Sequence, residues 1–181
     1  MYRTEVGYCG GSLPQPTYKA VCNDPAFGDY AESVCIEYSP NVLSFGDVLE
    51  AFFRSHDYIA AQRSRQYASI IFAHNDEQYA EAERALDALP RAATTLERVS
   101  PFWTAEPYHQ KWLLQRKRPL MLALGLTSVD DLLGPAPTIL NAAAAGKLRP
   151  KVALARLEVL MEDGMLVPSA FAALGEILEE F

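Results

Sequence analysis

The chain has 181 residues, half of them hydrophobic, and a net charge of −7, which is enough apolar material for a buried core and the wrong sign for a phosphate-binding surface. The one basic run, Arg116 to Arg118, reads as a solvated helix end, and the most apolar stretch, Pro119 to Leu126, falls far short of the roughly 20 residues of a membrane span. Three cysteines, Cys9, Cys22 and Cys35, all lie near the beginning and form no disulfide framework.

From Val6 to Asp29 the residues are rich in Gly, Pro and Asn, which predicts an ordered loop. Val34, Ile36 and Tyr38 alternate with Cys35 and Glu37, the period of a strand that Pro40 and Asn41 end. Ser44 followed by Asp47 is a helix-capping pair, and Val48, Leu49, Phe52 and Phe53 then share one helical face. A strand is expected over Tyr67 to Ala73, in a sheet interior. Asn75 and Gln78 cap the next helix, whose apolar face is Tyr79, Ala82, Leu86 and Leu89. Thr94 to Val99 reads as a strand and Ala105 to Gln115 as a helix.

After Pro119 the composition turns to Leu and Ala. Ser128 and Asp131 cap a short helix ended by Gly134, and helical stretches follow over Thr138 to Leu148, Lys151 to Met161 and Ser169 to Glu180. The expected class is therefore α+β: a mixed sheet with flanking helices, followed by an all-helical C-terminal tail.

Six short motifs stand in order along the first part of the chain. They are Gly7-Tyr8-Cys9-Gly10-Gly11, Pro14 to Tyr18, Tyr30-Ala31-Glu32 with Tyr38 to Pro40 beyond it, Phe52-Phe53 with His56-Asp57, Gln66-Tyr67 with Ser69, and Ala105-Glu106 with Tyr108-His109-Gln110. Together they resemble the peptide methionine sulfoxide reductase A family over roughly the first 115 residues, with Tyr30 where that family usually carries His. The resemblance implies a reductase-like domain over 1–118 and a helical extension over 119–181.

The resemblance also implies a chemistry. A thiol attacks the sulfur of a methionine S-sulfoxide, a proton reaches the oxygen, and an external thiol reductant of thioredoxin, glutaredoxin or glutathione type restores the enzyme, with no bound cofactor and no metal. The oxygen leaves only when protonated, so a carboxylic acid is needed, and Glu32 matches that proton donor. Tyr18 and Tyr67 match the two tyrosines that hydrogen-bond the sulfoxide oxygen. Taken without the motifs, Glu32 is a solvated residue before a strand and the tyrosines are core or rim; His56, Asp57 and His109 read as structural.

The family's nucleophile lies in Gly-Cys-Phe-Trp-Gly, which these 181 residues do not contain, and Met1 aligns inside the family domain. The expectation is a truncated form, inactive as it stands, with Ile70 and Phe72 left uncovered and marginal stability. Cys9 is the stand-in thiol to consider, while Cys35 reads as a buried hydrophobe. The substrate-binding aspartate before Gln-Tyr has no counterpart, with Gln62 nearest, and no resolving cysteine follows Cys35. The expected role is protein repair under oxidative stress, by reduction of methionine sulfoxide in peptides or proteins. The alternative is a non-catalytic interaction module acting through the helical tail. Neither nucleic acid nor membrane is an expected partner. The cytoplasm is the default location, which an upstream organellar targeting peptide would change.

Overall fold

Pairing partners far along the chain make a strand out of residues that local turn chemistry assigns to a loop. In the structure, a computed structural model that describes residues 3–126 and 128–180, β1 (Arg3–Cys9) runs straight into the Gly-rich segment. It is the middle strand of a three-stranded sheet, between β2 (Ala31–Glu37) and β5 (Trp103–Thr104). Gly7 pairs with Thr104 and Tyr8 with Trp103 in antiparallel register. The expected loop over Val6 to Asp29 is thus corrected at its start by β1 and in its middle by α1 (Tyr18–Asn23), whose cap, the Thr17 hydroxyl, accepts from the Ala20 amide at 3.2 Å. Cross-strand pairing and a well-made cap override the helix- and strand-breaking composition.

The next elements follow local signals more closely. Ser44 and Asp47 form the expected capping box ahead of α2 (Phe45–Ser55), the Asp47 amide donating to Ser44 Oγ at 3.1 Å and the Ser44 amide to Asp47 Oδ2 at 2.9 Å. β3 (Ile70–Ala73) starts later than the apolar run that signals it, because Arg65–Tyr67 wind into a single 3-10 turn. It pairs in parallel with β4 (Thr95–Arg98), Ile71 opposite Leu96, in a separate two-stranded sheet. Asn75 caps α3 (Asp76–Asp87) by accepting from the Gln78 amide at 2.8 Å, and Leu89 falls beyond the helix it was expected to line. Leu49, Phe52 and Phe53 of α2 meet Ala82 and Leu86 of α3 over Ile71 and Leu96. Ile70 and Phe72, on the opposite face of β3, are half-buried.

The single helix expected over Ala105 to Gln115 is two pieces. A 3-10 turn at Pro107–His109 and α4 (Trp112–Gln115) are separated by Lys111, which adopts the left-handed conformation (φ 49°, ψ 45°). Burial compensates that conformation: the Lys111 ammonium donates to the Thr4 carbonyl at 2.6 Å, and the Gln115 amide holds the carbonyls of Pro107 and Gln110 at 2.8 and 2.6 Å. Arg116, in the basic run between helices, lies over the Trp112 ring at 4.6 Å.

The rest is helical, with a regular punctuation. α5 (Arg118–Leu124), not anticipated as a helix, ends at left-handed Gly125; α6 (Val129–Leu132) begins with a Ser128–Asp131 capping box. α7 (Pro135–Ala144), α8 (Pro150–Glu162) and α9 (Pro168–Glu179) each open on a proline, so they start one to three residues before the expected stretches at Thr138, Lys151 and Ser169. Gly146 and Gly164 take positive φ just past α7 and α8.

The class is α+β with a helical C-terminal region. By packing, the chain divides into Val6–Ala105 and a second unit of Met1–Glu5 with Glu106–Phe181. These are packing units, whereas the 118/119 boundary above is a limit of resemblance; Met1, where that resemblance starts, lies outside the described residues. The second unit has one core, with Leu114, Leu120, Leu140, Leu157, Leu174 and Leu178 almost completely buried. Among the described residues no helix is long and apolar enough to cross a membrane.

Candidate active site

The unit Val6–Ala105 gathers five candidate side chains from three short elements. Tyr18 and Cys22 are four residues apart on α1, so one helical face carries both, and the Tyr18 hydroxyl donates to the Cys22 sulfur. Glu32 is the second residue of β2; its neighbour Ala31 points into the core, which turns Glu32 outward by strand alternation. Gln66 and Tyr67 sit in the 3-10 turn, where successive residues diverge: Gln66 is buried, at 8% exposure, while Tyr67 is open to solvent.

Gln66 joins the pieces. Its Nε2 donates to Glu32 Oε1 at 2.6 Å and to Cys22 Sγ at 3.1 Å. The phenol of Tyr18 is held above its ordinary pKa, first by the hydrogen bond to Cys22 and the negative potential of that sulfur, then by Tyr67, partial burial and Glu32. Tyr18, Glu32 and Tyr67, named from three separate motifs, therefore share one local field. It is a surface cluster, since both phenols and the carboxylate are exposed. Two phenols and a carboxyl in one electrostatic neighbourhood are groups of the kind that donate hydrogen bonds to, and place a proton on, a small polar oxygen.

A second layer fixes the turn that carries Gln66 and Tyr67. Arg65 makes a bidentate pair with Glu97 (2.9 and 2.7 Å) and donates through Nε to the Asp29 carbonyl at 2.6 Å. The pair raises the Arg65 pKa and lowers that of Glu97, both chiefly through the shared hydrogen bonds. The paired glycines make room for this layer. Gly10 has φ +91°, and a Cβ there would lie 2.7 Å from the Arg65 guanidinium; a Cβ on Gly11 would lie 2.1 Å from the Tyr30 ring. Tyr30, which replaces the usual His, is buried and donates its hydroxyl to the Leu13 carbonyl; burial first, then Asp29, raises its pKa.

Other residues singled out from sequence lie elsewhere or act structurally. Cys9 is 1% exposed, its sulfur 3.6 Å from Ser100 Oγ, so no sulfoxide can reach it without opening of the fold. Cys35 is half-buried in β2. His56 bonds Phe52 O through Nδ1 (2.9 Å) and Ser69 Oγ through Nε2 (2.7 Å), tying the end of α2 to the start of β3. Asp57 Oδ1 accepts from the Ile59 and Ala60 amides, a local turn. Gln62 is exposed in the loop before the 3-10 turn. His109 ends the 3-10 turn Pro107–His109, 4.0 Å from Glu106. Among the described residues no group of three or more His, Cys, Asp or Glu side chains could hold a metal ion.

Sequence reasoning did not give Arg65 or Glu97 a role, since charged residues on turns and strand ends look solvated. Gln66 is a motif member and Cys22 only one of three thiols near the beginning, and only the fold shows that they touch Glu32 and Tyr18.

Comparison with known proteins places these residues in context. A family model described as peptide methionine sulfoxide reductase matches residues 1–129. Peptide methionine sulfoxide reductase MsrA of Haloquadratum walsbyi is 40% identical over 116 residues, covering 59% of this chain and 66% of that protein. Peptide methionine sulfoxide reductase of Drosophila melanogaster is 38% identical over 132 residues, covering 69% of this chain and 51% of that protein. The chain thus spans between half and two thirds of these relatives' length. The crystal structure of Mxr1 from Saccharomyces cerevisiae in reduced form superposes with a TM-score of 0.54 at 30% identity, covering 64% of this chain and 71% of that one.

Proposed function

Because the chain belongs to the peptide methionine sulfoxide reductase family, we propose that its Tyr18–Glu32–Tyr67 cluster is the oxygen-handling side of a methionine S-sulfoxide site. The observation that carries the reading is that the Gln66 amide bonds both Glu32 and the Cys22 sulfur, that Tyr18 bonds the same sulfur, and that Tyr67 and Glu32 both act electrostatically on the Tyr18 phenol. The two phenols donate hydrogen bonds to the sulfoxide oxygen without bringing a charge, and Glu32 delivers the proton.

A thiol sulfur bonds to the sulfoxide sulfur, the S–O bond transfers its oxygen to that thiol as a sulfenic acid, and the sulfide form of methionine leaves. Two equivalents of an external thiol, of thioredoxin, glutaredoxin or glutathione type, then return the sulfenic acid to thiol, with water and a disulfide as products. The attacking thiol is assigned to the family's Gly-Cys-Phe-Trp-Gly segment, which these 181 residues do not contain, and no turnover is the outcome expected of them alone. The buried Cys9 does not replace it.

The test joins this chain to the Gly-Cys-Phe-Trp-Gly segment of one of the relatives and follows dithiothreitol-dependent reduction of methionine sulfoxide. Reduction of the S epimer alone is expected, falling by about 10²–10⁴ with Glu32→Gln. Each of Tyr18→Phe and Tyr67→Phe should lower it by about 10–10³. Activity indifferent to Glu32→Gln would refute the proton-donor role. Turnover by the 181 residues alone that disappears in Cys9→Ser would make Cys9 the nucleophile instead.

A further inference from the structure

Within the Tyr18–Glu32–Tyr67 cluster, one side chain is both deeply buried and fully committed. Gln66 is 8% exposed, and the two protons of its amide go to Glu32 Oε1 at 2.6 Å and Cys22 Sγ at 3.1 Å. The turn beneath it is held by the bidentate Arg65–Glu97 pair and by the Asp29 carbonyl, so the amide has little freedom to swing away. An oxygen that accepts an amide N–H is not the oxygen that carries the acid proton of the same carboxyl group.

We propose that Gln66 is a positioning residue for proton delivery: its amide holds Glu32 Oε1 as an acceptor, which leaves Oε2 as the oxygen that carries the proton to the substrate oxygen. Through the Cys22 sulfur the same amide sets the Tyr18 phenol in the frame of the carboxyl group. The inference rests on the sulfoxide-reducing reading of the cluster. Glutamine suits the place because it donates without charge; a methionine of similar volume fills the space and donates nothing, and a glutamate sets a second carboxyl against Glu32.

The experiment uses the 181-residue chain labelled with ¹⁵N. The Gln66 side-chain amide is assigned in the wild type by nuclear Overhauser contacts to its own side-chain and backbone protons, and its proton shift is followed in the wild type and in Glu32→Gln. The chain is then titrated with N-acetyl-methionine S-sulfoxide methylamide while the Tyr18 and Tyr67 ring resonances are observed. The expected result is a Gln66 amide that moves on Glu32→Gln, saturable shifts of both tyrosines, and about tenfold weaker binding in Gln66→Met with backbone dispersion preserved. In Gln66→Glu, binding is weak at neutral pH and recovers as the pH falls, because the introduced carboxyl regains a donor when protonated; a space-filling role predicts a loss indifferent to pH.

A Gln66 amide insensitive to Glu32→Gln, or sulfoxide binding unaltered by Gln66→Met, overturns the positioning role and leaves the sulfoxide reading in place. The first of these needs no substitution at Gln66, so it stands even where Gln66→Met does not fold. Tyrosines that do not respond to the sulfoxide in the wild type, with the Gln66 amide still tracking Glu32, defeat the sulfoxide reading and the proposal with it.

Discussion

The two packing units of this chain invest their residues differently. The unit of Met1–Glu5 with Glu106–Phe181 is a continuous core in which α4, α5, α7, α8 and α9 all deliver leucines or alanines to one cluster. Val6–Ala105 has two smaller clusters, one around Tyr8, Val21, Tyr30 and Ala105, the other around Leu49, Ile71 and Ala82. Its order depends more on directed polar contacts: the Arg65–Glu97 pair, the His56–Ser69–Thr94 chain and the Gln66–Glu32 bond. The lesson is one of precision against bulk. Dispersion and hydrophobic burial tolerate small shifts, whereas directed polar contacts such as Gln66 to Glu32 and Cys22 impose angular restraints.

Cavity-forming substitutions give the largest effect and test that contrast first. Leu174→Ala, at a position with 0% exposure, should cost about 2–5 kcal/mol in urea unfolding, whereas Leu49→Ala, in a cluster of only three buried residues, should fall at the lower end of that range. Equal costs would erase the distinction between a continuous and a divided core.

Next comes pH. Burial lowers the Lys111 pKa to about 8, opposed by the attraction of Glu5 and assisted by the repulsion of Arg3. Between pH 8 and the ordinary lysine value the unfolded chain holds the proton more firmly than the folded one, so stability rises with pH through that window and is flat below it. The rise should amount to about 2–3 kcal/mol, read as the difference between wild type and Lys111→Met across alkaline unfolding curves. Lys111→Met should also be the more stable form at pH 7, by somewhat less because it loses the bond to the Thr4 carbonyl. A difference that does not change with pH would mean the amine is solvated.

The Arg65–Glu97 pair is the counterpart in the other unit. Its hydrogen bonds lower the Glu97 pKa, so its stabilisation is present above the ordinary glutamate range and is lost as the pH falls through the lower folded value. With side chains near one third exposed, Glu97→Gln should cost only about 1–2 kcal/mol at neutral pH, a difference that closes in acid. It should also loosen the Gln66–Tyr67 turn, visible as faster amide exchange there. The smallest effect is expected at the α2 cap, where Ser44→Ala should cost about 1 kcal/mol by loss of its hydrogen bond to the Asp47 amide.

Much of this organisation is legible along the chain. Capping boxes at Ser44 and Ser128, the Asn75 cap, and glycines just past helix ends act within a few residues, so their chemistry is readable where it stands. The motifs also selected Tyr18, Glu32 and Tyr67, although their spacing alone does not say that they meet. β1, the break at Lys111, the burial of Cys9 and the grip of Gln66 on Glu32 were decided only in three dimensions. β1 becomes a strand because partners from Ala31–Glu37 and Trp103–Thr104 satisfy its backbone, and Lys111 turns left-handed where its ammonium meets the carbonyl of Thr4. Gln66 turns inward because Arg65 anchors its turn to Glu97 and Asp29. Each of these outcomes is set by a contact with a distant part of the chain, and such contacts outweigh local preferences worth about 1 kcal/mol or less per residue.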